Sequence, residues 1–173
     1  VVDAIINQRE KDCLEEGTNE GLTSINFKTE FNNGRILSLT LQVETLAGNL
    51  VFEEMYYNFD IKKKQNLKIE SLFSEKDQKT ILKKINDALK LRLQEYSTEE
   101  KEIDQQHAVD VLLAKSNIVT NDQVRFFKIN ENGIEFMADY GLQRGILPIE
   151  NNVFISFIDL NPYLKIEFKK LVF

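Results

Sequence analysis

Residues Tyr56–Phe73, with the sequence YYNFDIKKKQNLKIESLF, set the order of the elements on either side of them. The first part, up to Ile61, is rich in aromatic side chains and is typical of the end of a β-strand. Three lysines at 62–64 then predict a turn. Ser74 comes next, and it predicts the start of a helix because its hydroxyl can cap free backbone amides while Asp77 reaches back. The segment therefore joins a strand to a helix.

The predicted helix carries one continuous apolar stripe. Lysines and Asp87 occupy its other side, so we expect the stripe to pack against one face of a sheet. The apolar positions are Ile81, Leu82, Ile85, Ala88, Leu89, Leu93 and Tyr96.

The residues before this segment predict an antiparallel meander. Residues 23–31 alternate with a period of two, which places Ile25, Phe27 and Phe31 on one face of a strand. Residues Asn32-Asn33-Gly34 then predict a hairpin turn, because Asn and Gly tolerate the positive φ angles of tight reversals.

A return strand follows at 36–46, a second reversal at Ala47-Gly48-Asn49, and a third strand at 50–61. Residues 1–16, at the start of the chain, predict a short amphipathic helix. Alternation in the return strand predicts that its leucine-rich set points inward and its polar set outward. The inward set is Leu37, Leu39, Leu41, Val43 and Thr45, and the outward set is Ile36, Ser38, Thr40, Gln42 and Glu44.

The second half of the chain predicts a weaker helix through Val109–Leu113 that ends near Asn117. A second hairpin joins strands at 124–130 and 134–140 through Glu131-Asn132-Gly133, and another strand lies at 153–158. Pro162 predicts the first turn of a terminal helix, where its missing amide costs little.

Together these elements predict one α+β domain spanning residues 1–173. We expect an antiparallel sheet of two strand groups, an N-terminal meander and a C-terminal hairpin plus strand, with helices packed on one face. A chain of 173 residues is long enough to bury one substantial core.

Composition narrows the classes of partner. The net charge of −6 repels a phosphate backbone, and no stripe of Lys and Arg interleaved with aromatics compensates, so we expect no nucleic-acid binding. An acidic surface favours a basic partner, although acidity also serves solubility alone. Cys13 is the only cysteine, which excludes an internal disulfide and a cysteine-based zinc site.

No apolar run approaches the roughly 20 residues that span a bilayer. The chain opens with Val1–Ile6, which resembles the interior of a folded element. We therefore expect the native start to be missing, which leaves room for a signal peptide, lipid anchor or membrane segment before it, and we expect any membrane attachment to depend on such a segment.

The sequence offers little catalytic equipment, and we predict no catalytic residue, metal or cofactor. His107 is the only histidine, and it shares a three-residue spacing with Asp104 and Asp110. Such a set suits a metal or a carboxylate- and histidine-dependent hydrolase, but its Gln105 and Gln106 neighbours and the acidic, solvated context favour an exposed helix face.

Two features suggest binding instead. Alternation places Tyr56 and Tyr57 on opposite faces of a strand, so one of them can lie exposed in a binding patch; burial in the core is the alternative. Lys62-Lys63-Lys64 suits an anionic polymer or a lipid surface, or else simply keeps a loop soluble.

The order of elements resembles the extracytoplasmic domain of the RsiV anti-sigma factors. The resemblance rests on Ala47-Gly48-Asn49, on a strand ending in Asn58-Phe59-Asp60-Ile61, and on Leu72-Phe73 before a helix. Phe126–Phe136 resembles that family's second hairpin, and Gly145–Ile149 resembles its closing turn and strand. These motifs are structural turns and core positions.

The resemblance implies an exported or membrane-tethered binding domain of a bacterial cell envelope. In RsiV this domain binds lysozyme, and in certain peptidoglycan deacetylases it accompanies a separate catalytic domain. The family's Gly-Gly-Ala-His loop is replaced here by Leu46-Ala47-Gly48-Asn49, and the segment 140–145 is shorter. Only Gly48 carries over, as a turn residue.

The sequence therefore predicts a non-enzymatic, extracytoplasmic domain that binds a protein or a cell-wall ligand such as peptidoglycan. Tyr56 and Tyr57 are its candidate binding residues. Two alternatives stay open: a hydrolase or metal-binding protein built around His107, and a structural spacer within a larger envelope protein.

Overall fold

The computed structural model describes residues 21–47, 49–98, 102–120, 126–138, 140 and 147–173. The predicted helix at 1–16, with Cys13, lies outside these residues. So do the turn residue Gly48 and, from the predicted closing turn, Gly145 and Ile146.

Four antiparallel strands form the first sheet, in the order β1-β2-β3-β4. They are β1 (Gly21–Asn32), β2 (Ile36–Ala47), β3 (Asn49–Asp60) and β4 (Gln65–Asn66). The predicted meander of three long strands is confirmed. Its first turn is the predicted Asn-Gly hairpin: Gly34 has a φ of +78°, and Asn33 Oδ1 accepts hydrogen bonds from the amides of Arg35 and Ile36.

A β-bulge divides the first strand. Phe27 lies opposite Leu41, but the register shifts between Thr29 and Phe31, so that Phe31 lies opposite Ser38. The extra residue turns Phe31 to the other face of the sheet, where it packs against the core while Phe27 stays exposed. The prediction that Ile25, Phe27 and Phe31 share one face is therefore wrong.

The second sheet has three strands in the order β5-β6-β7. They are β5 (Phe127–Ile129), β6 (Gly133–Met137) and β7 (Asn152–Ser156), each shorter than predicted. The hairpin at Glu131-Asn132-Gly133 is confirmed, with the Asn130 amide donating to the Gly133 carbonyl at 2.9 Å. Gly133 lies so close to β7 that an added Cβ would clash with the carbonyl oxygen of Ile155.

The described residues also form five helices. They are α1 (Ile69–Leu72), α2 (Glu75–Ser97), α3 (Ile103–Ala114), α4 (Phe157–Leu160) and α5 (Ile166–Val172). The start of α2 is as predicted: Ser74 Oγ accepts a hydrogen bond from the Asp77 amide and donates one to the Asp77 carboxylate. Pro162 lies in a turn between α4 and α5, so the predicted start of the terminal helix is wrong.

The α2 stripe forms the middle of the core. Ile81, Ile85, Leu89 and Leu93 are buried in one cluster with apolar residues of α3 and of the second sheet. The fold class is confirmed: an α+β chain whose two open antiparallel sheets are joined by helices. None of the helices in the described residues has both the length and the apolar character needed to cross a bilayer.

The two sheets meet at Asn58, in the last part of β3. Its side-chain amide donates to the Phe127 carbonyl at 2.8 Å, and its Oδ1 accepts from the Ile129 amide at 3.2 Å and from the Ser38 hydroxyl at 2.7 Å. The Asn58 carboxamide thus makes the hydrogen bonds to β5 that the backbone of a neighbouring strand would otherwise make. Asn58 and Ser38 are both buried.

This joint changes the predicted orientation of β2. Ile36, Ser38 and Thr40 are buried, although we predicted that their set points outward, while Leu37 and Leu39 are only half-buried. Leu41 and Val43 are buried as predicted. The polar side chains tolerate burial here because β1, β3 and β5 supply their hydrogen bonds.

Candidate functional site

One face of the meander carries most of the polar side chains of the first sheet, and we call it the front face. Residues that lie directly opposite each other on neighbouring antiparallel strands point to the same face of the sheet. On the front face, β2 and β3 contribute four such pairs: Ser38 and Asn58, Thr40 and Tyr56, Gln42 and Glu54, and Glu44 and Phe52. Ser38 and Asn58 form its proximal end, beside the second sheet. Leu46 and Leu50 continue it beyond Phe52, and these two residues with Glu44 and Phe52 form its distal end.

Glu30 is the most enclosed acid in the middle of the front face, with a side chain only 9% exposed. Its carboxylate contacts Lys28 Nζ at 2.9 Å and accepts a hydrogen bond from the Thr40 hydroxyl at 2.9 Å. Burial alone would raise the pKa of Glu30. The hydrogen bonds from Lys28 and Thr40, together with the charge of Lys128, outweigh burial and lower that pKa.

Glu54 and Tyr56 form the next part of the front face. The Tyr56 hydroxyl donates to Glu54 at 2.7 Å, and Gln42 Nε2 donates to the other carboxylate oxygen at 3.1 Å. The hydrogen bond from Tyr56 is the main cause that lowers the pKa of Glu54. Burial and the bond to Glu54 raise the pKa of Tyr56, so its hydroxyl stays a donor at neutral pH.

The second sheet contributes a cation at this level. Lys128 Nζ lies 5.9 Å from the centre of the Tyr56 ring and 3.1 Å from the Glu135 carboxylate. Asn130 and Asn152 also donate hydrogen bonds to Glu135. The middle of the front face is thus a hydrogen-bonded network of half-buried charges whose members already satisfy one another.

The distal end differs because its apolar side chains are exposed. Phe52 is 54% exposed, and Leu46 and Leu50 are exposed to nearly the same extent. Phe52 also lines a pocket of about 190 Å³, together with Ser24, Asn26, Gln42, Val43, Glu44, Glu53 and Glu54. A shallow acidic pocket beside an exposed aromatic ring can bind a ligand, but it assembles no nucleophile and base.

The two predicted binding residues lie on opposite faces of β3. Tyr56 belongs to the front face. Tyr57 lies on the other face, where its ring stacks on Phe59 at 6.1 Å and its hydroxyl approaches Met55 Sδ at 3.6 Å. Glu30 and Lys128 were not predicted. The alternation of Phe52, Glu54 and Tyr56 could have indicated the part of the front face that β3 contributes. The bulge beside Glu30 and the approach of Lys128 leave no signal in the sequence.

Asp104, His107 and Asp110 are exposed on α3. Gln106 donates a hydrogen bond to Asp110 at 2.8 Å. Within the described ranges, no three His, Cys, Asp or Glu side chains are grouped so that they could hold a metal ion.

Comparison with known proteins found no matching family model and no matching curated protein. Two solved structures of DUF3298 family proteins resemble the chain. The protein from Pseudomonas aeruginosa PAO1 gives a TM-score of 0.60 over 91% of this chain, at 13% sequence identity. This chain has the DUF3298 fold. The structure from Bacteroides fragilis NCTC 9343 gives a TM-score of 0.50 over 95% of the chain, at 12% identity.

Both DUF3298 proteins are longer than this chain. The match covers 68% of the Pseudomonas protein and 66% of the Bacteroides protein, so the chain spans about two thirds of their length. Identities this low bear on the DUF3298 fold only, and residue roles must be argued from the front face itself.

Proposed function

We propose that this chain is a non-enzymatic binding domain of the bacterial cell envelope and that the distal end of its front face binds a basic protein. The observation that carries the proposal is the exposed Phe52 ring beside a pocket lined by Glu44 and Glu54. Tyr56 supports this surface from its middle, through the hydrogen bond to Glu54.

The chemistry of the distal end fits a protein better than a small molecule. Exposed Phe52, Leu46 and Leu50 offer apolar area of the kind that anchors protein interfaces. The acidic side chains next to them would steer a basic partner and fix its orientation. A net charge of −6 adds to the same attraction at longer range.

The resemblance to RsiV-like domains supports the envelope location and suggests the type of ligand. The DUF3298 fold is related to that domain family. A member that binds lysozyme recognises a basic protein, which suits the acidic distal end. We therefore infer that the chain is an RsiV-like domain that acts outside the cytoplasm and has a lysozyme-like ligand.

The experiment is a calorimetric titration of the chain with lysozyme, using Phe52→Ala as the test variant. Phe154→Ala is the matched control, because Phe154 is an equally exposed phenylalanine on the second sheet. We expect Phe52→Ala to weaken binding by about tenfold or more and Phe154→Ala to leave it nearly unchanged. Binding should also weaken as salt rises.

Three results would contradict the proposal in distinct ways. Equal effects of the two substitutions on lysozyme binding would show that the distal end is not the binding surface. Binding to purified peptidoglycan, with none to lysozyme, would replace the protein ligand by a wall polymer. Hydrolysis of a wall substrate that His107→Ala abolishes would make the chain an enzyme.

A further inference from the structure

The end of the meander opposite the distal end gathers cations from three separate parts of the chain. Arg35 lies in the β1–β2 turn, the three lysines 62–64 lie in the turn between β3 and β4, and Lys169 and Lys170 lie on α5. We call these six residues, Arg35, Lys62, Lys63, Lys64, Lys169 and Lys170, the basic end.

Hydrogen bonds hold the three parts together. Arg35 Nη1 donates to the Lys170 carbonyl at 2.7 Å, and Asn33 Nδ2 donates to the Leu171 carbonyl at 2.8 Å. The Ile61 amide donates to the Arg35 carbonyl at 2.8 Å, which places the lysine turn beside the same hairpin. The cations therefore share one fixed surface, although more than a hundred residues of sequence separate Lys64 from Lys169.

Little of this positive charge is neutralised locally. Lys63 lies 3.8 Å from the buried carboxylate of Asp60. In the described part of the chain, Lys62, Lys64 and Lys170 form no ion pair, and Glu167 at the start of α5 is the nearest acid in sequence to its lysines. A cluster of this kind on an acidic chain attracts an anionic surface, to which each added lysine contributes.

Apolar side chains stand among these cations. Ile166 is 59% exposed and lies one helical turn before Lys169 and Lys170, so the three share the outer side of α5 while Phe168 is buried in the core. Ile61, directly before the lysine turn, is 39% exposed. Lysines interspersed with exposed apolar groups are the composition that membrane interfaces bind, whereas a soluble polyanion would gain nothing from the isoleucines.

We propose that the basic end docks on an anionic phospholipid surface, with Lys62, Lys64 and Lys170 facing the headgroups and Ile61 and Ile166 entering the interface. This contact adds to any anchor that precedes the chain, and it does not depend on the ligand of the front face. Because β2 is 12 residues long, docking would hold the distal end roughly 40 Å from the bilayer.

The test is co-sedimentation of the whole chain with vesicles of phosphatidylglycerol and phosphatidylcholine, and with vesicles of phosphatidylcholine alone. The test variant is the triple substitution Lys62→Gln, Lys64→Gln and Lys170→Gln. The control removes the same charge from exposed α2 positions, as Lys76→Gln, Lys79→Gln and Lys83→Gln. We expect binding to the anionic vesicles only, reduced about fivefold for each lysine removed from the basic end.

A second variant tests the apolar part. Ile166→Ser leaves every charge in place and should still weaken vesicle binding, because it removes a side chain that enters the interface. The proposal fails if the wild-type chain does not bind anionic vesicles at low salt, or if the α2 control loses as much affinity as the test variant. It also fails if the chain binds soluble polyphosphate but no vesicle.

Discussion

The proximal and distal ends of the front face follow the same strand alternation and yet have opposite environments. At the proximal end, Ser38 and Asn58 are polar but buried. At the distal end, Phe52, Leu46 and Leu50 are apolar but exposed. The usual relation between polarity and burial is thus reversed at both ends of a single sheet face.

Contact with the second sheet therefore decides which side chains of the front face are buried. The backbone of β5 supplies partners for Ser38 and Asn58, so their polar atoms are satisfied without water. The distal end lies beyond the second sheet. Its exposed apolar groups suit a binding surface and add little to the core. We therefore expect mutations at the distal end to affect binding and mutations at the proximal end to affect stability.

Among these substitutions, the loss of Asn58 at the proximal end should destabilise the chain most. Asn58→Ala leaves the buried Phe127 carbonyl without its donor and the Ser38 hydroxyl without its acceptor. We expect a loss of about 3 kcal/mol in the free energy of unfolding, since each buried unsatisfied group costs roughly 1–3 kcal/mol. Urea denaturation measures the change.

Asn26→Ala is the matched control, because Asn26 is an exposed asparagine opposite Gln42 near the distal end. It should change stability by less than about 0.5 kcal/mol. If the two asparagine variants were equally stable, the carboxamide of Asn58 would not be what joins the sheets.

Substitution of Glu30, in the middle of the front face, should have an intermediate effect on the free energy of unfolding, and this effect should depend on pH. The pKa of Glu30 is lowered in the folded chain, so the stability that its carboxylate confers is fully present above its unfolded pKa and is lost as pH falls through the folded pKa. Glu30→Gln should therefore cost about 1 kcal/mol at neutral pH, and this cost should shrink to almost nothing once the pH lies below the lowered pKa of Glu30 in the folded chain.

Urea unfolding of Glu30→Gln and the wild type across this pH range provides the measurement. A variant in which the exposed Glu75 is replaced, Glu75→Gln, serves as the control for the charge change alone. A stability difference for Glu30→Gln that persisted unchanged into acid would show that the ionised carboxylate is not the stabilising form.

The smallest effect on stability belongs to the distal end. Phe52→Ala removes a ring that is 54% exposed, so we expect the free energy of unfolding, measured by thermal denaturation, to change by no more than about 0.5 kcal/mol, as for ordinary surface substitutions. The same variant should lose affinity for the front-face ligand. A large loss of stability would instead make Phe52 a structural residue.

Features with local causes could be predicted from the sequence. The Asn33-Gly34 turn, the Ser74 cap and the apolar stripe of α2 each depend on residues a few positions apart, and the structure confirms them. The candidate site is a different case. Tyr56 could be predicted as a candidate binding residue because it is an aromatic residue on an alternating strand. Nothing in the sequence indicated which face of that strand would meet the second sheet.

The wrong predictions share a long-range cause. Strand alternation predicted that Ser38 points outward, and this failed because its partner is the amide of Ile129, 91 residues away. The bulge that separates Phe27 from Phe31 shifts the register by one residue, and strand periodicity cannot indicate such a shift. The lysines at 62–64 were singled out from the sequence, but the basic end as a whole was not, since only the folded chain brings Arg35 to Lys170.

The Asn58 carboxamide has one more consequence, for self-association. A strand at the margin of a sheet is a template on which a second molecule can add a strand, and proteins guard such margins against aggregation. Here the side chains of Asn58 and Ser38 fill that role on β5: Asn58 donates to the Phe127 carbonyl, and both accept a hydrogen bond from the Ile129 amide. Loss of the Asn58 carboxamide would loosen the contact of β5 with the first sheet and expose this margin more often, so a chain that lacks it should become turbid at concentrations where the wild type stays clear.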